Sequence, residues 1–218
     1  MEALERIMGW MPALINATGT TLLLTVTAVS TAIVIGVFLA LAKISSNPII
    51  NKPASAYIFF FRGTPLLIQL IIVYYALPML DDRFTLSRPI AAYITFSLNI
   101  AAYLAEIIRA AIQSIDKGQM EASRSLGLSY GQAMKLVIIP QSYRRMIPPI
   151  CNEFVMVLKD TALVSVISLS ELTYQTRQIV SSSASPLVYI PSLIIYLILT
   201  AVFTFIFGKL EKKFSVYE

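Results

Sequence analysis

Glu153, Lys159 and Asp160, all within the stretch "EFVMVLKD", place two acids and a lysine in an otherwise apolar run. The acids stand seven residues apart. At about 100° per residue this brings them within about 20° of one another on one face of a helix, whereas Lys159 points about 100° aside. Two carboxylates on one face can meet a passing cation. One suits a single positive group, and two suit a substrate that carries more than one. The competing reading is packing, with Asp160 paired to Lys159 or to Arg62 across helices and Glu153 hydrogen-bonded inside a bundle. A carboxylate facing lipid costs about 2.5 to 3.5 kcal/mol even on the lenient insertion scale, so an acidic stripe belongs on a wet cavity.

The elements around these residues read as membrane-spanning. Of 218 residues, 57% are apolar and only 13% charged, far below the roughly 25% charged residues of an average soluble domain. A span needs about 20 mostly apolar residues, and stretches 19–42, 54–79, 89–108, 147–172 and 187–207 satisfy this. The expected fold class is therefore an all-α membrane protein of five transmembrane helices, forming one domain over 1–218. Glu153 would lie about 9 Å and Asp160 about 20 Å above Ile147, and Asn99 about 14 Å from Ile90 on an opposed span, at a rise of about 1.5 Å per residue. Asn99 thus joins the two acids in the middle third of the bilayer as a candidate substrate-binding residue. Glu106 and Arg109, three apart, have the spacing of a structural ion pair.

Charge placement orients the chain. Lys43, Lys52, Arg109, Lys117, Arg124, Lys135, Arg144, Arg145, Lys209, Lys212 and Lys213 fall on one side of the five spans, against Arg6, Arg83, Arg88 and Arg177 on the other. The excess predicts an external N-terminus and a cytoplasmic C-terminus. The net charge of +5 follows from that rule and does not call for nucleic acid. Glu2 and Glu5 against Arg6 lack the basic start of a cleaved signal peptide. With no histidine and one cysteine, Cys151, metal and redox chemistry are poor expectations, and no cofactor is expected in this chain.

The largest basic loop, about 115–140, is too polar to span. Gly127 has the position to end a short helix in the left-handed conformation, and Ser129 followed by Gln132 has the spacing of a capping box for the next. Two short helices joined by a sharp turn would offer a rigid knob to a soluble partner.

In this loop Glu121-Ala122-Ser123, three residues, Gly127, nine residues and then Val137-x-Ile139-Pro140 resembles the E-A-A-x3-G-x9-I-x-L-P signature of permease subunits in type I ATP-binding-cassette importers, with Ser123, Val137 and Ile139 as mild departures. Arg62-Gly63-Thr64-Pro65-Leu66 is similar to the R-G-T-P-L stretch of the polar amino acid uptake subfamily, and Lys159-Asp160-Thr161 to its K-D-T segment. With "TGTTLLLT" in the first span, the resemblance covers nearly the whole chain. It implies a permease subunit in the bacterial inner membrane that is no enzyme itself. Two copies, expected to be identical, form the pathway. Two cytoplasmic ATPase subunits bind ATP and Mg, and an external solute-binding protein delivers an amino acid; one acid suits the α-ammonium of any amino acid, and two suit a positive side chain as well, as in arginine, lysine or histidine. It further implies that Glu121, Ala122 and Gly127 couple the permease to the ATPase. The chain contains no G-x4-G-K-[ST] phosphate loop, in keeping with that division of labour.

Overall fold

In the computed structural model, which describes the backbone of residues 2–215 and the side chains of 5–214, the fold is all-helical. Helix α1 (Glu2–Ile44) leads to α2 (Pro48–Gly63), which Asn47 caps by accepting the amide of Ile49 at 3.0 Å and which begins on Pro48. Short helices α3 (Leu66–Ile71) and α4 (Leu77–Leu80) are joined by a π turn, Ile72–Ala76. Next come α5 (Arg88–Gln113), the loop helices α6 (Lys117–Ser125) and α7 (Tyr130–Ala133), and α8 (Ile139–Asp160), entered through a second π turn, Met134–Ile138. A 3-10 helix, Thr161–Ile167, links α8 to α9 (Leu172–Ser183), and α10 (Tyr189–Ser215) closes the bundle.

Helix α5 is the axis. It is lined by Ala91, Ala92, Ala101, Ala102 and Ala105, all fully buried, so that neighbouring backbones approach closely. The nearest is α1 at Gly36. A Cβ there would lie 3.0 Å from the Cβ of Leu104 and 3.2 Å from the carbonyl oxygen of Ala101. The opposite faces of α1 and α10 remain apolar and exposed, at Leu23, Phe38, Leu193 and Leu197 among others. This is the pattern of helices whose outer surface meets lipid.

Glu5–Ile44, Arg88–Gln113 and Pro186–Phe214 are each long and apolar enough to cross a membrane. The stretch expected to span over 54–79 is not straight: Pro48–Gly63 and Leu66–Leu80 meet at 100° and count as a fourth crossing only when taken together. The cause is local. Proline at 65 disfavours helical backbone at Thr64, which is extended at φ −123°, ψ 145°. The stretch expected over 147–172 is helical only to Asp160. It then tightens into the 3-10 helix and turns at Ser168 with φ 56°.

Candidate functional site

Both acids of the expected stripe lie on α8, Glu153 half-buried and Asp160 exposed at its last residue. Phe154 holds α8 to α10 by packing on Phe203 and Phe207, with ring centroids 4.8 Å and 5.2 Å away. Among the described residues neither acid forms an ion pair or a hydrogen bond. Lys159 is exposed beside Asp160. The guanidinium of Arg62 lies over the ring of Tyr103 at 5.4 Å and 3.9 Å from Glu106. The pairing of Asp160 with Lys159 or Arg62 considered from sequence is therefore not formed.

Glu106 is where the cations gather. Lys43 reaches it at 2.9 Å, Arg109 donates from Nε at 3.1 Å and also from its terminal nitrogen, and Arg62 stands at the edge of the group. The Glu106–Arg109 spacing anticipated the intrahelical pair. Lys43 and Arg62 come from α1 and α2, and local spacing carries no sign of them.

Asn99 sits 5% exposed on α5 with both amide hydrogens engaged. It donates to the carbonyl of Phe61 and to Oε1 of Gln69, each at 3.0 Å. Gln69 in turn donates to the carbonyls of Phe61 and Thr64 at 3.1 Å and 3.2 Å and to the Thr64 hydroxyl at 2.7 Å. The two amides thereby satisfy carbonyls that the break at Pro65 leaves without helical donors. Sequence placed Asn99 within a helix of the bundle, and there it is buried. In the fold its side chain is turned to the broken helix, and the acids of α8 are not among its bonded partners.

The loop helices follow their sequence signals closely. Asp116 caps α6 by accepting the Gly118 amide at 2.7 Å. At the other end Gly127 adopts φ 85°. Its amide reaches the Arg124 carbonyl at 3.0 Å, and the amide of Leu128 reaches the Ser123 carbonyl at 3.2 Å, a Schellman closure. Ser129 and Gln132 then form the reciprocal capping box, at 2.8 Å and 3.3 Å. Glu121, Ala122 and Gly127 are exposed, and Leu126 projects from the turn at 84% exposure. Glu121 forms no ion pair with Arg124 among the described residues. Ser123 faces inward and donates to the Gln119 carbonyl at 2.6 Å.

Sequence reasoning missed Glu171. Fully buried, it caps α9 by accepting the amides of Thr173 at 2.8 Å and Tyr174 at 2.6 Å, and the Tyr196 hydroxyl of α10 donates to it at 3.2 Å. An acid immediately before a helical run is a capping signal, but the stretch expected to span over 147–172 takes Glu171 into its end, and no helix is expected to start after it.

Residues 32–216 match the family described as binding-protein-dependent transport system inner membrane component. The chain is 36% identical over 206 residues to the glutamine transport system permease protein GlnP of Escherichia coli K12, covering 94% of each. It is 38% identical over 206 residues to the arginine transport system permease protein ArtQ of Bacillus subtilis 168, covering 93% of this chain and 92% of the relative. A crystal structure described as an amino acid ABC transporter with histidines superimposes with a TM-score of 0.90 at 39% identity, over 95% of this chain and 97% of that one.

Proposed function

The chain belongs to the binding-protein-dependent transport system inner membrane component family, as an amino acid permease subunit of a type I ATP-binding-cassette importer, and on that premise we propose that it imports a cationic amino acid through a site built on Glu153 and Asp160. It is no enzyme; ATP hydrolysis belongs to a separate subunit. The observation that carries the reading is the pair of α8 carboxylates without an ion-pair partner among the described residues. A charge in the bilayer is expensive unless paired or wet, and a substrate cation supplies the missing partner. Asp160 lies in the subfamily's K-D-T stretch and reads the α-ammonium, whereas Glu153 lies outside that stretch and selects the side chain.

Asn99 takes part indirectly. By holding the break between α2 and α3 it positions the pathway wall, and it acts as a positioning residue rather than a substrate ligand. Two copies of the chain form the pathway, with the N-terminus outside and the C-terminus in the cytoplasm, in five crossings that include the bent pair and α8. On the cytoplasmic side α6, with Glu121, Ala122 and Gly127, seats in each of two ATPase subunits that bind ATP and Mg. Closure of the ATPases moves α6 and shifts the bundle between inward-facing and outward-facing states. An external solute-binding protein delivers the amino acid.

The glutamine permease among the relatives favours a second reading, in which one acid meets the α-ammonium and the other serves packing. Substrate-stimulated ATP hydrolysis by the complex reconstituted in liposomes separates the two. With Glu153→Gln, stimulation by arginine should fall relative to glutamine; an unchanged ratio sinks the cationic reading.

A further inference from the structure

At the end of α10 that carries its lysines, a cavity of about 470 Å³ opens between α8 and α10. Arg144 and Arg145 of α8 and Lys212 of α10 line it, all exposed, and the half-buried Glu211 is the one acid in its described lining. Beside these charges the wall is apolar, at Ile147, Pro148 and Gly208. A Cβ on Gly208 would meet nothing within 4 Å, so this glycine leaves space open and brings no helices into contact. Arg145 is steadied by donating to the carbonyl of Ser114. Arg144 and Lys212 also have contacts within the chain, but a guanidinium or an ammonium holds several donors, and such a contact does not exhaust them. The depth of the cavity follows from the sequence. Helix α10 carries no charged residue from Tyr189 to Phe207, a stretch of about 27 Å at about 1.5 Å per residue, which matches a hydrocarbon core of roughly 30 Å. The cavity begins immediately after, at Gly208, where hydrocarbon gives way to headgroups.

We propose that this cavity holds the phosphate of an anionic phospholipid, whose acyl chains lie along the α10 face in line with Gly208. Three cations against one acid leave the lining positive, and guanidinium and ammonium groups bind phosphate oxygens by charge-assisted hydrogen bonds. Basic cavities between spans at the membrane surface suit lipid headgroups of this kind. On the same α10 face, Ala201, Thr204 and Phe205 are exposed and lead from the cavity into the bilayer. Cations that only orient a span need neither a cavity nor an apolar wall. A free phosphate would use the cations alone, whereas the apolar wall and the track beyond it suit a lipid. The assignment requires that the chain spans a membrane; it holds for either orientation and for whichever amino acid is imported.

The test uses the complete permease–ATPase complex in detergent micelles, titrated in native mass spectrometry with phosphatidylglycerol or with phosphatidylcholine of the same acyl chains. Phosphatidylcholine carries its phosphate beside a choline cation and so reports the worth of net charge. Phosphatidylglycerol should bind about tenfold more tightly, as expected for one hydrogen bond to a charged group. Arg144→Gln combined with Lys212→Gln should abolish that preference; Arg145 stays in place because it holds the Ser114 carbonyl. Gly208→Leu should abolish it as well, by filling the cavity while every charge remains. Gly208 is helical and its missing Cβ faces open space, so this second variant does not threaten the fold. The assignment is overturned if the two lipids bind alike, or if the preference survives either variant. Displacement of phosphatidylglycerol by inorganic phosphate at equal concentration would also overturn it, by revealing an anion site with no place for acyl chains. Loss of the ATPase from the double variant would do the same, by making the cavity part of a protein interface.

Discussion

The membrane bundle holds two kinds of acid. Glu106, 20% exposed, has Lys43 and Arg109 in direct contact and Arg62 at 3.9 Å; Glu153 and Asp160, on α8, have no ion-pair partner among the described residues. The contrast separates an acid that holds helices together from acids that form no ion pair among the described residues. Three cations from α1, α2 and α5 converge on Glu106, so it ties together helices that small residues already bring close. The α8 acids form no such tie among the described residues; on the function proposed above, a substrate cation is their partner.

The sharpest way to break that contrast is to remove charge at both places. Glu106→Gln leaves three cations without an acid. Removing one member of a well-buried pair costs about 3 to 5 kcal/mol, and partial exposure here lowers this to about 2 kcal/mol. The thermal midpoint of the purified complex should drop accordingly, whereas Glu153→Gln and Asp160→Asn should leave it unchanged or raise it. Equal losses at all three positions would erase the distinction. A smaller loss is expected for Asn99→Ala, about 1 to 2 kcal/mol, because the Phe61 carbonyl and the Gln69 side chain lose a buried donor. Its signature in uptake assays should be a slower rate with unchanged preference among amino acids.

The loop behaves differently again. Gly127→Ala forces a side chain into φ 85° at about 1 kcal/mol. That strain falls on the turn carrying Glu121 and Leu126, so ATP hydrolysis should lose its dependence on substrate while the membrane bundle keeps its midpoint. The smallest effect belongs to Ser123→Ala. This change restores the third residue of the family signature and removes only a hydrogen bond to the Gln119 carbonyl, so stability should move by less than about 0.5 kcal/mol. Substrate-dependent hydrolysis should be retained.

Sequence was most legible where structure is local. Gly127, Ser129 and Gln132 announce a Schellman closure and a capping box through spacings of a few residues, and both form. The Glu106–Arg109 pair is equally local. Lys43 and Arg62, by contrast, reach Glu106 from 63 and 44 positions away in the chain, and no helical periodicity records that. Asn99 shows the same limit: its place on a helix follows from the sequence, but the identity of its partners depends on Pro65 breaking a helix that hydropathy reads as continuous. Glu171 was hidden for a further reason. Hydropathy runs the span over 147–172 through it, and only the turn at Ser168 and the packing of Tyr196 from α10 make its carboxylate the buried cap of α9.

The central claim is that the α8 acids are held ready for the cation of the substrate. Equilibrium binding of arginine to the permease–ATPase complex, with the solute-binding protein left out, tests it most directly. Glu153→Gln should weaken arginine binding about tenfold, as expected for one lost charge-assisted contact, with no drop in thermal midpoint. Unchanged affinity in a fully folded variant would contradict the account.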